Sequence, residues 1–239
     1  MKQTNSSFDT SYKALRHTQL FKDVKEEILK TIINDCEPIE WKKGESIDSN
    51  FTNRYLFILI SGKIKITQIN PQSGRSVALF LLHTGDIYDF LPLLDEKEHL
   101  SFPVPLETCQ LLRTPIETAR EWINKYPEFN QAILPYLGDK IREMESFSVS
   151  MVFHDTATRL ANLILKYTKV CKDNHTEHYS VDLINNLSHE SLAELIGSVR
   201  AVATMQLKKL KEEGTIISKR GQLAVKNLEK LLHHCDIKQ

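Results

Sequence analysis

The sequence predicts an α+β fold in three parts: a small β-barrel or sandwich, one long helix, and a C-terminal helix–turn–helix with a β-hairpin behind it. Three observations carry this. Short runs rich in Ile, Phe, Leu, Val and Tyr fill residues 39–113 and are separated by turn signals. A heptad-like apolar series follows from Leu134 to Met151. Last, Ser188 to Gly214 reads as two short helical patterns joined at Gly197.

The N-terminal part opens with a helical pattern. Phe21, Val24, Ile28, Leu29, Ile32 and Ile33 recur at helix spacing, which predicts a helix over residues 18–36. Pro38 blocks its continuation. The turn signals that follow are Lys43-Gly44-Glu45, Ser61-Gly62-Lys63, Asn70 to Gly74 and Thr84-Gly85-Asp86. Residues Lys63 to Ile69 alternate between polar and apolar, as a half-buried strand does. Asn70-Pro-Gln-Ser-Gly74 reads as a hairpin loop.

Helical pattern returns at Ile116–Tyr126 and stops near Pro127. In the long segment after it, Leu134, Leu137, Ile141, Met144 and Met151 fall on a and d positions. A narrow apolar seam of this kind predicts dimerisation, although burial against the chain's own barrel gives the same pattern. Pro135 and Gly138 predict that this helix starts late or kinks near Leu137. Phe153-His154-Asp155 breaks the series. The expected domains are therefore 1–114 (β-barrel with an N-terminal helix), 115–153 (helical connector and dimerisation helix) and 154–239. In the last, Thr156–Val170 reads as a helix and Tyr179–Leu183 as a short strand.

In the final part, Ser188 is a candidate N-cap, with Leu192, Leu195 and Ile196 on the buried face of a first helix. Gly197 can take the positive φ of a tight turn, and Ser198 can cap the next helix. Val202, Met205, Leu207 and Leu210 are that helix's packing candidates, and Gly214 sits where a C-terminal cap belongs. Two apolar runs, Ile216-Ile217 and Leu223-Ala-Val225, then flank Ser218-Lys-Arg-Gly221, a hairpin wing with Lys219 and Arg220 at its tip.

Charge points to the ligand of this part. The chain is neutral, with 31 basic and 31 acidic residues, yet Ser198 to Lys226 holds seven basic residues against Glu212 and Glu213. Clustered positive charge is the footprint of a phosphate-binding face. In a helix–turn–helix the second helix lies in the major groove and presents its first residues to base edges. Ser198, Arg200, Ala201 and Thr204 occupy those positions. Arg200 can donate two hydrogen bonds to a guanine, and Thr204 can reach a base or a phosphate. Lys208, Lys219 and Arg220 are placed for phosphates, which fix register without reading sequence.

With Asp155-Thr-Ala-Thr-Arg-Leu-Ala161, Ser61-Gly62-Lys63 and Gly85-Asp86, this order of parts resembles the Crp/Fnr family of bacterial regulators over residues 21–225. The resemblance implies a cyclic-nucleotide-binding-like double-stranded β-barrel, a long dimerisation helix and a winged helix-turn-helix. It further implies a homodimer on a two-fold-symmetric double-stranded DNA site, with transcription regulation as the function and Arg200 as the base reader. Ala201 replaces the acidic residue that usually follows that arginine. Members that bind cyclic AMP carry a Gly-Glu pair and, further on, Arg-Ser. The matching positions are Asp89-Phe90 and Leu100-Ser101. A carboxylate and a leucine cannot pair with a phosphate, so cyclic AMP is not expected as the effector. Phe102-Pro-Val-Pro105 reads as an insertion able to fill the nucleotide pocket. RNA polymerase as a partner, and an unidentified small-molecule effector, stay open.

Other classes fit less well. No CxxC occurs among Cys36, Cys109, Cys171 and Cys235, so zinc-ribbon and iron–sulfur spacings are absent, and buried free thiols are expected. His17, His83, His99 and Cys109 could serve as haem ligands, but they follow no shared motif. No cofactor or metal is expected. A cupin-like enzyme would need a His-x-His pair, and none occurs, so no enzymatic activity is expected. A helix–turn–helix docking a protein partner is the alternative function, opposed by Arg200 and the basic wing. No apolar run approaches the roughly 20 residues of a membrane span, and Met1 to Ser7 lacks a secretory core. A cytoplasmic location is the expectation.

Overall fold

The computed structural model describes residues 5–173, 176–219 and 222–235. The chain divides into two compact units, residues 1–68 with 80–143, and residues 69–79 with 144–239.

In the N-terminal unit, helices α1 (Asn5–Arg16) and α2 (Glu26–Asn34) precede β1 (Glu37–Trp41). A short helix α3 (Ser49–Thr52) leads into β2 (Tyr55–Ser61) and β3 (Ile64–Ile69). Then come β4 (Ser76–Leu82), β5 (Ile87–Tyr88), α4 (Leu91–Asp95), β6 (Phe102–Pro105), β7 (Cys109–Pro115) and α5 (Ile116–Lys125). Helix α6 runs from Pro127 to Phe153 and carries the chain into the second unit.

Two sheets, ordered β1-β7-β2-β5 and β4-β3-β6, make the barrel. Strand β2 shows why its sequence is almost wholly apolar. Phe57 and Leu59 join an interior cluster with Trp41, Ile64, Ile66, Leu82 and Tyr88. Leu56, Ile58 and Ile60 point the other way, into a core shared with α1, α2, α5 and α6. Both faces are covered, so alternation disappears. The same holds for β3, where Lys65 and Thr67 are buried along with Ile64 and Ile66. The expected half-buried strand is therefore enclosed on both sides over residues 64–67.

Several boundaries move. The helix expected over 18–36 begins only at Glu26. Phe21 and Val24 are fully buried but reach the core from turns. Helix α1 was not predicted; it meets the core through Phe8, Tyr12 and Leu15, at i, i+4 and i+7, with Ala14 beside them. Phe102–Pro105 is a strand, β6, paired from Thr67↔Phe102 to Ile64↔Pro105, and not an insertion. As the last strand of its sheet it tolerates two prolines, which cannot donate to a ladder. Helix α6 does not start late. Pro127 occupies its first position, where a missing N–H costs nothing, and burial of Phe129, Ile133, Tyr136 and Leu137 outweighs the defect at Pro135.

Helix α6 is tied to the barrel by a buried polar cluster. Asp86, after the tight turn at Gly85 (φ +90°), accepts from Lys140 Nζ at 2.9 Å and from Tyr136 Oη at 3.1 Å. Its other oxygen accepts from His83 N at 2.9 Å. Tyr136 Oη in turn accepts from Ile87 N at 3.0 Å. Burial, and then the Asp86 carboxylate, hold the Tyr136 phenol well above its ordinary value, so it remains a donor. A Cβ at Gly85 would lie 2.4 Å from Thr18, so the turn has room for glycine alone.

The second unit continues with α7 (Thr156–Lys166), whose N-cap Asp155 accepts from Thr158 N at 2.8 Å. Strands β8 (Thr168–Asp173) and β9 (Thr176–Val181) form a hairpin where the helix was expected to continue to Val170. Helices α8 (His189–Leu195) and α9 (Arg200–Glu212) follow, then β10 (Ile216–Lys219), β11 (Gln222–Val225) and α10 (Leu228–His234). The wing pair β10–β11 extends into a four-stranded sheet, β10-β11-β9-β8.

Candidate nucleic-acid interface

The second helix of the pair is positioned by its own apolar face and by a sharp turn. Ala203, Leu207 and Leu210 of α9 are buried, beside Leu192, Ala193 and Ile196 of the α8 segment. Ser188 caps α8 by accepting from Ser191 N at 3.1 Å. Gly197 has φ +59°, and a Cβ there would meet the Met151 side chain at 2.5 Å. The positive φ is what favours glycine in this turn, since the tip of the Met151 side chain can move aside. Gly214, with φ +73°, ends α9 after Glu213, and Lys230 Nζ donates to Glu213 O at 2.8 Å.

Burial of Ala203, Leu207 and Leu210 leaves the opposite face of α9 open. Arg200, Ala201, Thr204 and Lys208 are all exposed on its first turns. Among the described residues Lys208 pairs with Glu212, at 3.7 Å, in a solvated contact worth little. Four of the sequence-selected residues therefore share one face. Ser198 lies in the turn and is half-buried. It does not cap α9: the N-cap is Val199, with no side-chain cap bond, while Ser198 N donates to Ala193 O at 2.8 Å. Lys219 ends β10, and Arg220 falls outside the described residues.

Two residues of this face escaped the sequence reading. His189 Nδ1 lies 2.9 Å from Thr204 Oγ1, linking the start of α8 to the exposed face of α9. Met205, expected in the packing, is instead 57% exposed. Its position, one residue past Thr204, was the available signal: helix geometry places it beside the exposed Ala201.

The five residues of the predicted seam on α6 separate. Leu134 and Ile141 are 66% and 68% exposed, and Met144 is half-buried. Leu137 instead belongs to the chain's own core, and Met151 is half-buried against Gly197. Helical geometry explains the split. At 3.6 residues per turn Leu137 lies about 60° round the helix from Leu134, on the side that carries the buried Ile133 and Tyr136.

At the positions matched to the cyclic-nucleotide residues, Asp89 is buried with φ +66°. Its Oδ1 meets His99 Nδ1 at 3.1 Å, and its Oδ2 is buried with no hydrogen-bond partner among the described residues. Leu100 is 66% exposed, and Ser101 is buried. Three of the four side chains able to serve as haem ligands, His83, His99 and Cys109, have separate partners. His83 Nδ1 lies 3.1 Å from Thr84 O, and Cys109 Sγ donates to Glu107 O at 3.2 Å. Among the described residues no helix is long and apolar enough to cross a membrane.

Comparison with known proteins agrees with this geometry. Residues 158–233 match the Crp-like helix-turn-helix domain. The CRP-like cAMP-activated global transcriptional regulator of Mycobacterium tuberculosis is 21% identical over 91% of this chain and 96% of its own. The global nitrogen regulator of Synechococcus elongatus is 26% identical over 72% and 77%. Among solved structures, a CooA mutant from Carboxydothermus hydrogenoformans superposes with a TM-score of 0.72. It has 21% identity and covers 92% of this chain and 96% of that one. The c-di-GMP responsive regulator CLP of Xanthomonas campestris gives 0.69 with 16% identity, covering 85% and 100%. With a barrel, a long helix and a helix-turn-helix in this order, the chain is similar to the Crp/Fnr transcription regulators, and its residues 158–233 form a Crp-like, DNA-binding helix-turn-helix domain.

Proposed function

We propose that the chain acts as a homodimer on a two-fold-symmetric DNA site, with no cyclic AMP control and no enzymatic turnover. In this reading residues 1–114 are a sensor-like barrel, 115–153 connect and dimerise, and 154–239 bind DNA. Arg200 reads a guanine from the start of α9, with Ser198, Ala201 and Thr204 beside it. Lys208, Lys219 and Arg220 meet phosphates. The exposed face of α9 carries the reading, because a charged, solvent-facing first turn on a firmly packed second helix is what major-groove docking requires. Leu134 and Ile141 support dimerisation, since two large apolar side chains this exposed on one helix favour a partner. The proposed site of action is the cytoplasm.

Against cyclic AMP stand the buried Asp89 carboxylate and the barrel's own filling. Trp41, Phe57 and Tyr88 cluster at tilted and edge-on angles with ring centroids 5.1, 5.8 and 6.2 Å apart, filling the barrel interior between them with aromatic side chains. Calorimetry with cyclic AMP is expected to show no binding, and micromolar affinity would overturn this part. For the dimer, selection from random DNA by the purified full chain should return inverted repeats. Their half-site centres are expected about 10–10.5 base pairs apart. Sedimentation in the same buffer should give a dimer. Recovery of single, unrepeated sites by a monomer would be the contrary result.

A further inference from the structure

We propose that Met205 is a specificity-determining residue that reads the C5-methyl group of a thymine in the half-site. The proposal rests on the reading of α9 as the groove helix and adds a second base position to the one assigned to Arg200.

Between Val199 and Lys208 the exposed side chains are Val199, Arg200, Ala201, Thr204, Met205 and Lys208. Three of these are apolar, and Met205 and Val199 are large hydrophobics left 57% and 45% exposed. Ala201 removes any side-chain hydrogen bond from the centre of the face. The Thr204 hydroxyl already has a protein partner, His189 Nδ1, at 2.9 Å. Directional bonding to base edges is thereby left mainly to Arg200, and the remaining surface is hydrocarbon and thioether.

Among the four bases only thymine shows an apolar group in the major groove, its C5-methyl. Methionine suits that contact, being unbranched, polarisable and able to fill an irregular gap. At 3.6 residues per turn, Arg200 and Thr204 lie on one flank of the face, and Ala201 and Met205 on the other. Arg200 and Met205 are separated by about 7.5 Å along the axis at 1.5 Å per residue. That is roughly two base-pair steps of 3.4 Å. A helix with Arg200 on a guanine thus brings Met205 over a base about two steps away, on either strand.

The test uses the full-length protein, the half-site it selects from random DNA, and deoxyuridine placed in turn at each thymine. Deoxyuridine keeps the pairing and removes only the methyl. At one thymine, about two base pairs from the guanine, wild-type binding is expected to weaken about fourfold at fixed salt, the worth of one buried methyl-sized group. Met205→Ala should bind the thymine and uracil sites equally. Its fold is not at stake, because the side chain is exposed, and unchanged affinity for random DNA checks this. Wild-type affinity that is indifferent to every replacement overturns the proposal, as does a thymine preference that survives in Met205→Ala. Arg200→Ala separates the groove placement of α9 from the role of Met205. If guanine preference vanishes there while thymine indifference is seen in the wild type, Met205 alone is wrongly assigned. If guanine preference persists, the placement of α9 in the groove fails, and Met205 with it.

Discussion

Replacing Asp86 with alanine lowers the stability of the N-terminal unit by about 3–5 kcal/mol, the cost of removing one partner from a buried ion pair. Lys140, whose side chain is 12% exposed, loses its carboxylate at 2.9 Å. The remaining acid near it is Glu143, at 3.7 Å. Tyr136 Oη loses its acceptor, and His83 N loses the side chain that holds the turn. Asp86→Asn keeps one acceptor oxygen, enough for Tyr136 or for His83 N but not for both, and leaves the ammonium unneutralised, so it should fall between the wild type and alanine. Both tryptophans, Trp41 and Trp122, lie in this unit. Their fluorescence through a urea titration therefore reports it without interference from the helix-turn-helix. A loss below about 1 kcal/mol for Asp86→Ala would place the hold on α6 in the apolar core instead.

Arg200→Ala removes discrimination at one guanine of each half-site, roughly 1–3 kcal/mol, or about 5- to 150-fold. Arg200 is exposed, so stability should not change. Lys208→Ala is expected to behave differently. It weakens binding to all sequences alike and lowers the slope of log affinity against log salt by about 0.9. Competition binding between the selected site and its guanine-substituted version measures the first effect, and a salt series measures the second. Intact guanine preference in Arg200→Ala would remove the base-reading role.

What the sequence made legible depended on whether the signal was local. Gly197, Gly214 and the Ser188 cap are local devices, each needing one backbone conformation or one bond, and each sits where the pattern placed it. The apolar run in β2 was readable as a strand, but which residues faced the helices and which the interior depends on packing across both sheets. Met205 was misplaced for a related reason. A methionine in a helical pattern reads as core by default, and only the burial of Ala203, Leu207 and Leu210 fixes which side it leaves exposed. Pro135 and the prolines of β6 misled in the opposite direction. Local propensity argued against an element there, and tertiary burial, or a place at a sheet edge, overrode it.

The expectation of buried free thiols holds for Cys36, Cys109 and Cys235. Burial raises all three thiols, Cys235 to about 11, and Cys36 also feels Asp35. Alkylating reagents attack the thiolate, so in the folded chain these sulfurs react only when the structure around them opens. Cys36 and Cys109 sit in one compact unit and Cys235 in the other. The chain thereby carries its own timers. The modification rate of each cysteine, followed by mass spectrometry of intact protein and its peptides, clocks the opening of one unit apart from its neighbour. It would also register which of them slows when DNA is added.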